Sequence, residues 1–259
     1  MKAKLVRTKN LTRLWEVVEA IKSASSGEPR LGLIYGPAGR GKTRAVDHLA
    51  AKTGAVYVSA ARVWTPNAML KCILAGLGGT LTVSAADNLT RAAEALGERL
   101  GVPSLGNGLL IVDEADYLAK GAQPPNTPPL LDTVRDLHDA SGAPVLLVGM
   151  DGLAKILSRF AQFWDRVRMS EEFAPLDSGE LIHLAGELAG LSMDEPSAEV
   201  IRRATHGNLR QAIVHLARLE AVAKAQGSQK VRPEWAQKIS AEVARGKLRA
   251  SGARLKVVK

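Results

Sequence analysis

A short glycine-rich stretch, GPAGRGKTR at residues 36–44, restricts the possible folds of this chain more than any other feature of the sequence. It follows the apolar run Leu31–Tyr35, which predicts a short buried strand, and it leads into a helical pattern at Arg44. The spacing of its glycines and of Lys42 and Thr43 matches G-x-x-x-x-G-K-[ST] without a gap. Glycines let the backbone curl with its N–H groups pointing inward, and the start of a helix adds partial positive charge. The stretch therefore predicts a phosphate-binding loop.

The same loop predicts ATP and Mg²⁺ as ligands. Lys42 is expected to reach the β- and γ-phosphates, and Thr43 is expected to hold Mg²⁺. The residues expected to surround the nucleotide are Gly36, Pro37, Ala38, Gly39, Arg40, Gly41, Lys42, Thr43, Arg44 and Asp113. The alternative is a glycine-rich turn that contains Lys-Thr by chance, and the flanking strand and helix patterns count against it.

An acidic pair closes a second apolar run, GLLIVDEADYL at residues 108–118. Asp113 would bind Mg²⁺ directly or through water, and Glu114 would polarise the attacking water. An ordinary strand ending in a solvated acidic turn is the alternative, which the upstream loop disfavours. Glu114 favours hydrolysis, so the chain is predicted to be an ATPase. One more strand pattern lies between the loop and the acidic pair, which indicates a P-loop protein that hydrolyses ATP and moves rather than a nucleotide kinase.

Strand and helix patterns alternate up to Pro175, and only helical patterns follow. The predicted fold class is therefore α/β, with a parallel P-loop sheet flanked by helices and followed by a small C-terminal helical lid. We predict a basic segment with a leading helix at 1–28, the α/β domain at 29–175, the lid at 176–243 and a basic tail at 244–259.

Charge is concentrated at the two ends of the 259-residue chain. Residues 1–13 and 244–259 hold eleven basic and no acidic residues, whereas the whole chain has a formal net charge of +9, so residues 14–243 carry a net −2. Such ends suit a phosphate backbone or an acidic partner, or they serve only as solubilising segments. The single cysteine, Cys72, excludes an internal disulfide and is expected to be a small buried hydrophobe. No apolar run approaches a membrane span and no signal peptide is visible, so we expect a soluble cytoplasmic protein without a membrane partner.

Two arginines complete the pattern: Arg166 in FWDRVRMSEEFAPL and Arg210 in HGNLRQAIVHLARL. A sheet domain with a helical lid and arginines at these places resembles the AAA+ ATPases over roughly residues 5–240. The resemblance implies that Arg166 is donated to the ATP of a neighbouring subunit and that Arg210 reaches the γ-phosphate from the lid. Arg168 is the other candidate for the first role. The alternatives are a surface salt bridge for Arg166 and a capped helix start for Arg210. The family usually ends its fourth strand in a polar residue, whereas this chain has Gly149-Met150-Asp151 there.

Three segments point to a more specific group within the AAA+ ATPases: WTPNAML, DEADYL and LLDTVRDLHDASGAPVLLVGMDGL. They resemble the target-selection ATPases of transposable elements, such as the B protein of Mu-like phages (MuB) and TnsC. That group implies a homo-oligomer, a ring or a helical filament, that forms with ATP on duplex DNA with little sequence specificity and recruits or stimulates a transposase. A secretion-type ATPase acting on protein and a replication initiator or loader are the alternatives.

The family has loops that line a central pore, and four residues in and after such loops are expected to contact DNA, with Lys71 on the helix that follows the loop after the second strand. They are Arg62, Trp64, Lys71 and Lys120. Basic and aromatic side chains together can grip a phosphate backbone and pack on sugar or base. Packing in the protein core is the alternative for Trp64.

Overall fold

In a computed structural model of the protein, residues 5–25, 27–120 and 127–254 are described, with side chains up to residue 245. They form two compact units. The first unit, which we call the sheet unit, comprises Asn10–Ala38 and Lys42–Phe173. The second, the helical unit, comprises Met1–Lys9, Gly39–Gly41 and Ala174–Lys259, as far as these segments are described.

A five-stranded sheet forms the centre of the sheet unit. Its strands are β1 (Leu31–Tyr35), β2 (Val56–Ser59), β3 (Leu110–Asp113), β4 (Val145–Val148) and β5 (Val167–Glu172). Their order is β2-β3-β4-β1-β5, and every pair is parallel. Strand β4 therefore separates the strand before the glycine-rich loop from the strand that carries the acidic pair. The predicted parallel P-loop sheet is confirmed.

Helices cover both faces of this sheet. They are α1 (Lys9–Lys22), α2 (Lys42–Thr53), α3 (Pro66–Leu77), α4 (Ala85–Gly97), α5 (Pro129–Ser141), α6 (Leu153–Leu157) and α7 (Ala161–Trp164). Alternate strand residues point to opposite faces: Ile34 packs among α1 and α2, whereas Leu33 and Leu147 pack among α3, α4 and α5. Strands β3 and β4 are buried along their whole length, which explains why they read as continuous apolar runs.

The helical unit contains α8 (Ser178–Ala189), α9 (Glu195–Thr205), α10 (Leu209–Ala225) and α11 (Pro233–Arg254) around a leucine-rich core. Asp177 caps α8 in a reciprocal capping box with Glu180. The backbone N–H of Lys9 donates to Glu180 Oε1 at 2.8 Å, and its ammonium pairs with Asp177. One of the basic residues of the N-terminal segment is therefore engaged within the protein.

Three local predictions need correction or extension. Cys72 is exposed, not buried, because α3 turns Met69 and Ile73 inward and leaves position 72 on the solvent side. Residues 151–162, where the apolar spacing predicts one helix, form the two short helices α6 and α7, because Phe160 has non-helical backbone angles between them. Helix α11 continues past residue 243 to Arg254, into the segment predicted as a tail. In the parts of the chain that are described, no helix is both long and apolar enough to cross a bilayer.

Candidate nucleotide site

The glycine-rich loop begins where β1 ends and closes where α2 starts. Gly36 has φ +141°, and a Cβ there would lie 3.0 Å from the carbonyl oxygen of Phe173, so only glycine fits. Lys42 is buried at the first turn of α2, and its ammonium donates to the carbonyls of Gly36 at 2.5 Å and Pro37 at 3.1 Å. The first turn of α2 holds no acidic residue, so its positive end is not neutralised by its own sequence. These features fit a bound polyphosphate.

The tip of the loop, Gly39–Gly41, belongs to the helical unit. Gly39 and Gly41 have φ of +82° and +94°, and an added Cβ would come within 2.3 Å of Asn208 and 2.6 Å of Leu209. The backbone N–H of Arg210 donates to Gly39 O at 3.2 Å, while its guanidinium is on an exposed residue in the first turn of α10. Glycine is thus favoured at both positions by the positive φ, and the side-chain ends of Asn208 and Leu209 would have to move to admit a Cβ.

The acidic pair lies at the end of β3. Asp113 is only 3% exposed, and its carboxylate accepts from the backbone N–H of Glu114 at 2.8 Å and from the hydroxyl of Tyr57 at 3.1 Å. Burial, reinforced by the charge of Asp113, raises the pKa of Tyr57, so the phenol stays protonated and donates. Glu114 adopts left-handed backbone angles, φ +54°, and is exposed. A buried, oriented carboxylate therefore lies next to an accessible one.

Sequence reasoning missed two residues here, Tyr57 and Asp116. Asp116 Oδ2 accepts from the backbone N–H of Met150 at 2.7 Å, which ties the turn after β3 to the end of β4. A Cβ at Gly149 would come within 2.7 Å of that same oxygen, so glycine there makes room for the contact. A carboxylate thus reaches the position where the sequence itself offers no polar strand end. Asp151, the nearest polar residue in sequence, is exposed.

All these groups lie at the carboxyl edge of the sheet, because its strands are parallel. The register pairs Ser59 with Asp113, and the N–H of Gly149 donates to Ile34 O at 2.9 Å, which holds the end of β4 beside β1. Within the described residues, no cluster of three or more His, Cys, Asp or Glu could hold a metal ion. Mg²⁺ held by Thr43 and Asp113 would therefore complete its shell with phosphate oxygens and water.

Arg166 lies at the opposite, amino edge of the sheet, just before β5, where its carbonyl accepts from Leu31 N–H at 3.0 Å. Its guanidinium pairs side-on with Asp139, with Nε to Oδ1 at 2.8 Å and Nη2 to Oδ2 at 2.6 Å. The guanidinium beside it lowers the pKa of Asp139. Arg168 pairs with Glu28 at 3.1 Å. The structure thus brings Lys42 and the acidic pair to one edge and places Arg166 at the other.

Arg166 and Asp139 line a recess of about 910 Å³ at this amino edge. Arg30, Leu100, His138 and Asp165 are among the other lining residues. The recess is remote from the glycine-rich loop, since the loop follows the carboxyl end of β1 and Arg30 precedes its amino end.

The four candidate DNA contacts differ in their surroundings. Arg62 is exposed in the loop after β2, and Lys120 is exposed after β3, so both follow the carboxyl ends of neighbouring strands. Lys120 Nζ stands 5.8 Å from the centre of the Tyr117 ring. Lys71 is half-buried on α3, and Trp64 packs partly buried against the core. Core packing therefore accounts for part of the Trp64 surface, and all four assignments stay predictions.

Comparison with protein families decides the class of the chain. A model of the AAA domain matches residues 25–157, just over half of the sequence, and spans the glycine-rich loop and the acidic pair. The chain belongs to the AAA domain family. Members of this family are P-loop nucleotide-binding proteins and generally ATPases, and they typically use Mg²⁺. The predicted AAA+ class is confirmed at this level, and the finer resemblance to transposon ATPases stays a prediction.

Solved structures share the fold of this AAA protein at low sequence identity. RuvB from Thermotoga maritima, a Holliday junction branch migration motor, is 19% identical with a TM-score of 0.55, covering 90% of this chain and 68% of that one. Cdc6p from Pyrobaculum aerophilum is 20% identical with a TM-score of 0.62, covering 94% of this chain and 70% of that one. No protein of curated function matches the sequence. These identities establish the fold and nothing finer.

Proposed function

We propose that this AAA protein hydrolyses ATP, assembles on duplex DNA with little sequence specificity, and recruits or stimulates a transposase. The observation that carries the ATPase part is the arrangement of Lys42, Asp113 and Glu114 at one edge of the sheet. Family membership supports nucleotide binding. The transposase part rests on the resemblance of three sequence segments to MuB and TnsC.

Each residue at the carboxyl edge has a distinct part in this chemistry. Lys42 and the backbone N–H groups of Gly36 and of residues 38–44 bind the phosphates, and Thr43 and Asp113 hold Mg²⁺, which when bound offsets phosphate charge. Tyr57 orients the Asp113 carboxylate by its hydrogen bond. Glu114, exposed beside it, accepts a proton from the attacking water. Arg210 acts on the γ-phosphate from the first turn of α10.

Arg166 acts on the nucleotide of a neighbouring subunit. Its place at the amino edge supports this, because an arginine there is remote from the loop of its own chain. Such an arginine stabilises charge on the transferred phosphoryl group and makes hydrolysis depend on assembly, with a value of about 10³- to 10⁵-fold in rate. The protein is then monomeric or weakly associated without nucleotide and oligomerises with ATP and DNA.

A mixing experiment tests the trans role. We expect Arg166→Ala and Lys42→Ala proteins to be inactive alone and to recover hydrolysis when mixed, since each supplies the group that the other lacks. Arg168→Ala is the comparison variant, because Arg168 is two residues away, also pairs with a carboxylate and is the other candidate for this role. If the mixture of Arg166→Ala with Lys42→Ala stays as inactive as its components, Arg166 does not act across an interface. If instead Arg168→Ala is inactive alone and recovers when it is mixed with Lys42→Ala, Arg168 is the trans arginine.

DNA binding is tested by affinity for random duplex DNA across a salt series, with and without ATP. Each phosphate contact contributes about −0.9 to the slope of log affinity against log salt. Deleting residues 245–259 is expected to flatten the slope and leave ATP binding intact. Changing Arg62 and Lys71 together to Ala is expected to weaken binding with the tail present. An unchanged slope in the tail deletion would mean that the tail contacts a protein partner. Unchanged DNA binding in the double variant would mean that the pore contact with DNA lies elsewhere, with Lys120 as the next candidate.

Two alternatives are separated by the same assays. A secretion-type ATPase acting on protein would show no ATP-dependent shift of random duplex DNA. A replication initiator or loader would also act on DNA, and the fold likeness to Cdc6p and to RuvB, a Holliday junction branch migration motor, is compatible with it. Stimulation of a transposase encoded beside this chain, abolished by Lys42→Ala, would support the transposition role over both.

A further inference from the structure

We infer that Asp139 is a positioning residue, which holds Arg166 so that the outer edge of its guanidinium faces a second copy of the chain. This inference rests on the proposed trans role of Arg166. It concerns the partner of that arginine, which no motif in the sequence marks.

The hydrogen bonds of Arg166 leave a defined part of its guanidinium for a partner. Nε and Nη2 meet the two oxygens of Asp139 side-on, and Nη1 donates to Gln162 O at 2.5 Å. Among the described residues these bonds use one proton on each of the three nitrogens. Nη1 and Nη2 each keep one further proton, and these two donors remain for the oxygens of a phosphate. The side chain is 32% exposed, so a part of it is accessible to a partner.

Asp139 lies at a helix end whose conformation is fixed by local contacts. It lies in the last turn of α5, whose end is fixed by a left-handed Gly142 and by a 2.8 Å bond from His138 Nδ1 to Ala143 O. A carboxylate in the last turn of a helix is disfavoured by the helix dipole, so helix stability does not account for it. The Arg166 partnership does, and the lowered pKa of Asp139 keeps the carboxylate charged at neutral pH.

Fixing an arginine before the partner arrives matters because a free arginine side chain samples many rotamers. The backbone of Arg166 is already anchored through its bonds to Leu31 and Phe163. Adding the Asp139 contact fixes the end of the side chain as well, which lowers the entropy lost when the neighbouring phosphate binds. Asp139 therefore acts on hydrolysis without touching nucleotide itself.

The test compares Asp139→Asn with Asp136→Asn. Asp136 lies on the same helix and also pairs with an arginine, Arg135, at 2.8 Å, which makes it a matched control. With DNA and saturating ATP, Asp139→Asn is expected to lower kcat about 10- to 100-fold, a typical cost of removing a supporting contact. Nucleotide affinity, measured with a fluorescent ATP analogue, is expected to stay within about twofold, because the loop lies at the opposite edge.

Three further measurements separate positioning from a merely structural effect. Mixing Asp139→Asn with Lys42→Ala protein is expected to restore hydrolysis, since the neighbour's correctly held Arg166 serves the intact site of the Asp139→Asn subunit. The double variant Arg166→Ala/Asp139→Asn is expected to be no slower than Arg166→Ala. Asp139→Glu, which keeps the charge, is expected to recover part of the lost rate.

The outcomes are distinct. If Arg166→Ala is as active as the unchanged protein, the proposed trans role fails. If Arg166→Ala is slow and Asp139→Asn is normal, only the positioning role fails. Faster hydrolysis in Asp139→Asn would mean that Asp139 withholds the arginine, and a loss that Lys42→Ala subunits do not restore would assign Asp139 a structural role; either result overturns the inference.

Discussion

Replacing Tyr57 by Phe removes one oxygen atom from the acidic centre and leaves the ring in place. The hydroxyl donates to Asp113 Oδ2 at 3.1 Å, and Asp113 is buried, so the carboxylate loses one of the two donors that the described residues give it. A hydrogen bond to a charged group is worth about 1.5–3 kcal/mol. Tyr57 itself is only partly buried, so water replaces the hydroxyl in part and the lower end applies. We expect a loss of about 1.5 kcal/mol in the free energy of unfolding.

This loss is measurable by urea unfolding and by heat. For a chain of this size, 1 kcal/mol corresponds to a fall in Tm of about 2–4 °C, so Tyr57→Phe is expected to lower Tm by roughly 3–6 °C. Tyr117→Phe is the control, because Tyr117 lies in the same acidic turn and is 37% exposed. That variant is expected to shift Tm by less than about 1 °C.

The same substitution tests the proposed part of Tyr57 in orienting Asp113 for Mg²⁺. Removing a contact that orients a metal-binding carboxylate commonly weakens metal affinity about 10- to 100-fold. We therefore expect the Mg²⁺ concentration at half-maximal hydrolysis to rise about tenfold in Tyr57→Phe and to stay unchanged in Tyr117→Phe. Equal stability and equal Mg²⁺ dependence in the two variants would refute this account of the Tyr57–Asp113 contact.

Three other predictions concern the same unit. Lys42→Ala is expected to abolish ATP binding, whereas Glu114→Gln should bind ATP and turn over about 10²- to 10⁴-fold more slowly, as equilibrium binding and phosphate release would show; normal turnover would remove Glu114 from the mechanism. Burial lowers the pKa of His138, so the folded state binds its proton less readily than the unfolded chain, and stability is expected to fall as the pH drops below about 6.5. His138→Gln should flatten Tm against pH between about 5 and 7, and an equally steep curve would contradict this assignment. Gly149→Ala is expected to displace Asp116 from Met150 N–H and to lower the free energy of unfolding by about 1–3 kcal/mol. Urea unfolding measures this loss, and an unchanged midpoint would contradict it.

The sequence was a good guide wherever a local pattern decides the structure. Strand β1 has the bounds predicted from its apolar run, and helix α2 follows the glycine-rich loop as predicted, with its first residue at Lys42. Asp113 lies where the apolar run of β3 predicts the end of a strand. These elements are specified by short-range signals: a fully buried strand, glycines with positive φ and a helix start.

Contacts between distant residues carry no such signal. Asp139 and Arg166 are 27 positions apart, and Tyr57 and Asp113 are 56 apart. Each pairing depends on the sheet order, which places β3 beside β2 and brings the end of α5 near the start of β5. The left-handed angles of Glu114 are equally invisible in sequence, because glutamate has no preference for them. The side of α3 that faces solvent, and with it Cys72, is also fixed by packing against the sheet.

Because the glycine-rich loop and Arg166 occupy opposite edges of one sheet, an assembly in which each subunit completes the site of the next joins unlike surfaces. Such an assembly has a direction. At one end of an open chain of subunits, a nucleotide site lacks the arginine of a neighbour, and at the other end an Arg166 has no site to act on. These two ends are a smaller fraction of a longer chain, so turnover per subunit rises with length toward a limit. A closed ring has no such ends and reaches that limit at once. Turnover per subunit, followed as DNA length is varied, therefore distinguishes a growing polar filament from a ring without any image of either.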